Sequence, residues 1–227
     1  MPAKKETILL FDINETVLDL RSLRPKFQAV FADEGLTDTW FAMLLHASTV
    51  SVVTALRTDF ATLAKVVLEA LAAKRGVSLS AGQVSDLLGA FASLLPHDDI
   101  KPALTRLQAA GFRCIAFSTS SRELISKQIS NAGLSDYFDE LISVEQAGTF
   151  KPDHKAYHFA ATQLQSEPAH LRLIAAHDWD THGAVSAGLK AAYVNRFQTL
   201  YNPLFRETDI TGTGMVDVAD RIIATDA

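Results

Sequence analysis

Ile8-Leu9-Leu10-Phe11-Asp12-Ile13-Asn14-Glu15-Thr16 decides the fold of this 227-residue chain. Its first four residues form an unbroken apolar run, which reads as a strand buried on both faces, the signature of a parallel sheet covered by helices on either side. An acid follows at once. Outward from this stretch the pattern recurs in Cys114-Ile115-Ala116-Phe117, Leu141-Ile142-Ser143-Val144, Leu173-Ile174-Ala175-Ala176 and Ala192-Tyr193-Val194. Helical period fills the intervals. Leu124, Ile125 and Ile129 share a face between Ser121 and Gly133, with the glycine as a stop. Tyr157, Ala161 and Leu164 do the same within 155–165, and a short helix is expected over 180–188, ending at Gly188. Strand alternating with helix implies an α/β, doubly wound parallel sheet. In such sheets a ligand sits outside the carboxyl ends of the strands.

One interval breaks the rhythm. The first two runs are separated by roughly a hundred residues, far more than an ordinary crossover needs. Most of that length reads as helix. Trp40, Phe41, Leu44 and Leu45 mark one; Phe60, Leu63, Ala64, Val67 and Leu71 form the stripe of a second, stopping near Gly76. Ser80 and Gln83 make a capping box for a third, which carries Leu87, Leu88 and Phe91. The chain therefore divides into an α/β core of residues 1–18 and 96–227 and a helical insertion over 19–95. The insertion leaves from the site edge of the sheet, where it can serve as a lid or only pack and dimerise.

Composition bounds the partners. With 48% hydrophobic and 21% charged residues the chain buries a core. Lys plus Arg number 21 against 26 Asp plus Glu, for a net charge of −5 with no basic patch, so no nucleic-acid partner is expected. No apolar stretch is long enough for a membrane span. Residues 1–6 lead straight into the first strand with no apolar signal region. Cys114 is the single cysteine, so no internal disulfide exists. These features suit a cytoplasmic protein.

The strand tips carry the chemistry. Asp12 to Thr16 follow the first strand, Ser118-Thr119-Ser120 the second, Lys151-Pro152 opens the helix after the third, and His177-Asp178-Trp179-Asp180 follow the fourth. Singly each is weak: an acid after a strand is commonly a helix cap, and a serine there is commonly a turn residue. Together an acid, hydroxyls, a cation and a second acid on one edge make a kit for nucleophilic catalysis. Asp12 attacks, Lys151 holds it ionised and binds anionic substrate, and Asp180 prepares a water.

Asp12-x-x-x-Thr16, Ser118, Lys151-Pro152 and Asp180, in that order, resemble the four motifs of the haloacid dehalogenase superfamily, and the insertion resembles its helical cap. The resemblance covers essentially the whole chain and implies a Rossmann-like core. Magnesium-dependent phosphatases of that superfamily carry acids where this chain has Asn14 and Ala176. Asn14 cannot transfer a proton as a carboxylic acid does, and Ala176 cannot hold a metal. The chain is more similar to the type II, L-2-haloacid dehalogenases, which need no metal or other cofactor. Lys151, Pro152 and Tyr157 match them, as do Trp179 and Asp180. Three positions depart: Thr119 and His177 stand where asparagines are usual, and the cap segment Trp40 to His46 lacks the usual arginine beside Phe41. The halide site is therefore altered or absent; Arg57 is a candidate substitute.

The resemblance implies an ester on Asp12, hydrolysed by water that Asp180 activates, with His177 as a candidate helper. Thr16 orients Asp12. Asn14, Phe41, Ser118, Thr119, Tyr157, His177 and Trp179 are expected to line a site for a small-molecule acid, in a chain that pairs as a homodimer. A magnesium-dependent phosphatase and a non-catalytic member binding a small acid or protein are the competing readings. His182 is expected to be structural; His46, His97, His154, His158 and His170 read as surface or cap residues, without metal-ligand spacing. Cys114, inside a strand, reads as packing, and Asp178 is a candidate for recruiting a cation.

Overall fold

The computed structural model describes residues 7–226; the expectation placed on residues 1–6 lies outside them. The first apolar run forms β1 (Ile8–Phe11) and the others form β4 (Arg113–Ser118), β5 (Glu140–Ser143), β6 (Leu171–Ala175) and β7 (Lys190–Val194). With β8 (Ile210–Gly212) they make a six-stranded sheet in the order β5-β4-β1-β6-β7-β8, every pairing parallel. The chain builds outward from β1 to β4 and β5, then returns to β1's other side with β6. Such a reversal opens a crevice at the carboxyl ends of the central strands.

Alternation explains why the runs are apolar throughout. Leu9 and Phe11 face α5 (Ile100–Ala109), α6 (Arg122–Asn131) and α9 (Met215–Asp226), which contribute Leu104, Ile125 and Ile222. Ile8 and Leu10 face the other way, onto α7 (His154–Gln163) and α8 (Asp178–Ser186), against Ala156, Ala160 and Ala184. Leu9, Leu10, Phe11 and Phe117 are fully enclosed, each worth about 1.5–3 kcal/mol of burial. Cys114 belongs to this packing, and burial pushes its thiol up to about 12.

Residues 20–94 hold α1 (Arg24–Phe31), α2 (Leu36–Val53), α3 (Phe60–Lys74) and α4 (Ala81–Gly89). Asp59 caps α3, and the Ser80–Gln83 capping box forms. Trp40 is the pivot of this layer: its indole N–H donates to Ala64 O at 3.1 Å while Phe91 meets its ring edge-on at 5.8 Å. The two connectors to the sheet are zipped by a short antiparallel pair, β2 (Leu18–Asp19) with β3 (Leu95–Pro96). The apolar interior of the helical layer is continuous with the β1–α5 side of the sheet. Among the described residues no helix is long and apolar enough to cross a membrane.

Two local expectations shift. The helix after β5 begins at His154, capped by Asp153, so Lys151 arrives on a loop and not at a helix start. The short helix at the end of β6 begins at Asp178, two residues earlier than expected. α8 sits so close to that loop that a Cβ on Gly183 would lie 2.6 Å from the Tyr157 hydroxyl and 2.7 Å from Pro152 Cβ; a glycine is what lets the elements meet.

Candidate active site

Asp12 leaves the end of β1 with its N–H donated to Ile174 O of β6 at 3.0 Å. The turn that follows folds back on Ile13 O, which accepts from both Val17 N and Leu18 N. This brings Thr16 under Asp12. The Thr16 hydroxyl donates to Asp12 Oδ2 at 2.7 Å and accepts from Ala176 N at 2.8 Å, fastening two strand tips together.

Lys151 supplies the charge. Its buried ammonium donates to Asp12 Oδ1 at 3.1 Å, Asp180 Oδ2 at 2.9 Å and Phe117 O at 3.1 Å. An ammonium has three donors, and all are used. None is left for a substrate carboxylate, so the anion-binding role expected of Lys151 gives way to a purely holding one. Tyr157 donates to the other oxygen of Asp180 at 2.6 Å. Burial opposes ionisation of Asp12, but Lys151, His177 and Thr16 outweigh it and hold the carboxyl at about 2. Burial also lowers Lys151, and its two carboxylates more than reverse this. Asp180, wholly enclosed, is raised by burial against the pull of Lys151.

His177 stands on the opposite side of Asp12. Its Nδ1 lies 3.5 Å from Asp12 Oδ2, and its Nε2 is 2.7 Å from Glu15 Oε2. Burial pulls the imidazole down, yet Asp12 and Glu15 together hold it at about 10, as an imidazolium. Trp179 stacks on the ring at 5.2 Å between centroids, and Phe41 of α2 approaches it at 6.3 Å. The helical layer thus meets the sheet directly over the site.

The remaining expected residues form a neighbouring polar frame. Asn14 donates to Ser120 Oγ at 3.4 Å and accepts from Gln128 at 3.1 Å. Ser118 Oγ accepts from Ser120 N at 3.2 Å, and Ser143 donates to Ser120 O at 2.7 Å. Thr119 is 8% exposed at the same tip. Arg57 does not join them: it is exposed and lines a separate cleft with Asp59 and Glu145. Asp178 is bound by backbone, accepting from Trp179 N and Asn202 N. His97 is not a bystander, since its Nε2 contacts Glu15 O at 3.1 Å. Among the described residues no group of three or more His, Cys, Asp or Glu side chains is arranged to hold a metal ion.

Sequence reading missed Glu15 and Arg196. Glu15 fell within the motif's unspecified positions. Arg196 donates to Thr16 O at 2.9 Å and to Asp99, buttressing the turn from the far side. Glu15, His97, His177 and Arg196 line a cleft of about 700 Å³. Lys151 and Trp179 face a smaller cavity of about 130 Å³, closed by Leu45, His46, Ser48 and Thr49 of α2.

The family model of haloacid dehalogenase-like hydrolases matches residues 7–188. The (S)-2-haloacid dehalogenase H-109 of Pseudomonas putida is 26% identical to the chain, covering 86% of it and 88% of its own length. The L-2-haloacid dehalogenase of Xanthobacter autotrophicus superposes with a TM-score of 0.87 at 22% identity, over 97% of this chain and 99% of that one. A second structure of that enzyme, with chloropropionic acid covalently bound, gives a TM-score of 0.87 at 21% identity over the same shares. The likeness to these two structures is one of fold.

Proposed function

The chain belongs to the haloacid dehalogenase-like hydrolases, and we propose that within that family it removes the halide from a small 2-haloacid, without a metal, through an ester on Asp12. The single observation that carries this reading is the state of Asp12: a carboxylate at a strand tip, 7% exposed, held ionised by Lys151, Thr16 and His177. An anion kept from both protons and bulk water is a competent nucleophile toward carbon. The names of relatives that span most of the chain support the choice of leaving group.

In the first step an Asp12 oxygen forms a bond to C2 of the substrate and the carbon–halogen bond breaks, the halide leaving with the electron pair. Water then attacks the ester carbonyl to give a 2-hydroxyacid and restore Asp12. Lys151 and Thr16 keep the two Asp12 oxygens in place, and Tyr157 and Asp180 keep Lys151 in place. Phe41, His177 and Trp179 form the wall beneath the helical layer, with residues 19–95 acting as the cap that excludes water. Asn14, Ser118 and Thr119 shape the adjoining tip. Asn14 supports the metal-free reading, because its amide is engaged on both sides by Ser120 and Gln128. A cytoplasmic location is carried by the composition alone, and a paired chain by the resemblance alone.

Halide release from chloroacetate and both 2-chloropropionates, with EDTA present, tests the reading. We expect turnover by the wild-type protein and a loss on the order of 10⁴-fold or more in Asp12→Asn, as for other removed nucleophiles. Wild-type rates from Asp12→Asn, or hydrolysis of p-nitrophenyl phosphate only with magnesium, would overturn it.

A further inference from the structure

We propose that Arg196, with His97 beside it, is a positioning residue for the nucleophile: it clamps the turn after β1 from outside and, through Thr16, sets the direction of the Asp12 carboxylate. The proposal rests on Asp12 being the nucleophile.

The carbonyls of the turn carry it. Three consecutive ones, Glu15 O, Thr16 O and Val17 O, accept from groups outside the turn. Arg196 Nε donates to Thr16 O at 2.9 Å, the His97 ring to Glu15 O at 3.1 Å, and His97 N to Val17 O at 3.1 Å. A carbonyl only accepts, so His97 Nε2 carries the proton. Burial and the neighbouring Arg196 hold the His97 ring below its ordinary value, which keeps it neutral in neutral solution. Thr16 is the critical member. Arg196 fixes its carbonyl, while its hydroxyl donates to Asp12 Oδ2 at 2.7 Å and accepts from Ala176 N at 2.8 Å. Lys151 holds the other oxygen, Asp12 Oδ1. Two bonds thus fix the plane of the carboxylate, and one of them depends on where Arg196 places Thr16.

The state of the guanidinium supplies a second, independent observation. The Arg196 side chain is 9% exposed, yet only two of its nitrogens are engaged, Nε by Thr16 O and Nη1 by Asp99. The third, Nη2, is buried and has no hydrogen-bond partner among the described residues. Burial outweighs the pull of Asp99 and lowers the group. Arg172, the other buried arginine, spends all its nitrogens on Asp209, Asp226 and Ala191 O. A buried cation left underpaired calls for a reason, and the reason here is that Thr16 O dictates where Arg196 must sit. The turn also needs holding. Glu15 has a φ of 65°, in the left-handed region that non-glycine residues adopt only when their surroundings impose it.

The clamp also ties the nucleophile to the helical layer. His97 follows directly on β3, in the connector that returns from that layer, and its N–H to Val17 O continues the pairing of Leu18 with Pro96 into the turn. Asp99, further along the same connector, takes Arg196 and also accepts from Met215 N at 2.6 Å, at the start of α9. Turn, connector, β7 tip and α9 therefore meet at one guanidinium. Arg196 is bonded to the backbone of the turn and not to the Asp12 carboxylate, so it acts on the chemistry only through Thr16. Attack on carbon demands aligned atoms, and a misplacement on the order of 1 Å costs about a hundredfold in rate even when its origin is distant. Losing Arg196 should therefore slow the attack of Asp12 and leave the affinity for substrate alone.

Halide release from chloroacetate in single turnovers, with protein in excess over substrate, reads the attack of Asp12 by itself. Arg196→Gln should slow it about tenfold to a hundredfold at saturation, while the protein concentration that gives half the maximal rate stays at its wild-type value. His97→Phe, which loses the ring contact and keeps the backbone one, should slow the same step less. The decisive measurement is a double-variant cycle with Thr16→Val. If Arg196 works through the Thr16 hydroxyl, adding Arg196→Gln to Thr16→Val should cost little further rate. Circular dichroism confirms folding, and Arg196→Lys, which keeps the buried charge, carries the same cycle where Arg196→Gln does not fold. Wild-type halide release by the Arg196 variant would overturn the proposal. So would losses that simply multiply in the double variant, the mark of a merely structural role, or a shifted half-saturation with an unchanged maximal rate. No halide from the wild-type protein would instead remove the reading of Asp12 on which the clamp depends.

Discussion

Two buried cations sit at opposite ends of the sheet. At the amino end of β6, Arg172 binds Asp209 through two bonds of 2.7 Å, Asp226 at 2.6 and 3.2 Å, and Ala191 O at 3.1 Å. These use all five guanidinium donors, and they tie α9 and the segment before β8 to the sheet. At the carboxyl end, Lys151 also bridges two carboxylates and is also saturated. The difference lies in the neighbours. Asp209 and Asp226 are engaged in planar, two-point pairing, which gives strength and fixed geometry. Asp12 is held by single bonds at the edge of a cleft region, and beside it His177 Nδ1 has no hydrogen-bond partner among the described residues. Burying charge is common to both ends; leaving one polar atom unfilled beside an ionised carboxylate is what sets the active end apart.

The largest effect should come from breaking the active end. Lys151→Met leaves Asp12 and Asp180 buried near each other without their shared cation. We expect a loss of about 3–5 kcal/mol, by urea denaturation, with turnover abolished. A stable, active variant would mean that the two acids are held by something other than Lys151. Arg172→Met should cost somewhat less, about 3 kcal/mol, because Asp209 is half-exposed and can recover water when its partner goes. Its kcat/KM per folded molecule should be unchanged. A folded Arg172→Met protein with impaired kcat/KM would show that the two ends are coupled and break the comparison.

The same contrast marks what could be read from the sequence. Each core strand carries a mostly apolar run of three or four residues, because its inner positions are covered by helices, so β1, β4, β5, β6 and β7 were legible. So were Asp12, Lys151 and Asp180, whose order at strand tips is a linear property of the chain. Closure of the chain was not legible. β2 and β3 contribute two residues each and pair across more than seventy positions, with Leu95 largely exposed. The α9 stripe of Met215, Val218, Ala219 and Ile222 has clear helical spacing, but Arg172 gives no hint in sequence that Asp209 and Asp226 await it. Glu15 was hidden for a related reason. Its role depends on a left-handed backbone and on a histidine far along the chain, neither of which the spacing of Asp12 and Thr16 encodes.

Alkali separates the two ends more gently than mutation. On the acid side they respond alike: Asp12 and Asp226 are both held below their ordinary values, so both lose their contribution as pH falls through those lowered values. On the alkaline side only one responds. Arg172 is raised further by its carboxylates and stays charged. His177 is raised from 6.5 to about 10, so its contribution to stability is complete below 6.5 and is lost as pH rises through about 10. Lys151, raised above 10.5, is lost only beyond that. Cys114 erodes stability in the same direction, since its unfolded thiol ionises before the buried one, but it does so in any variant that retains it. The quantity to follow is therefore the difference in unfolding free energy between wild type and His177→Gln. It should be nearly constant in mildly acidic solution, then shrink as pH climbs toward about 10. A difference that holds constant across that range would mean that Asp12 and Glu15 do not keep the proton on His177. The active end would then be as insensitive to alkali as the Arg172 end.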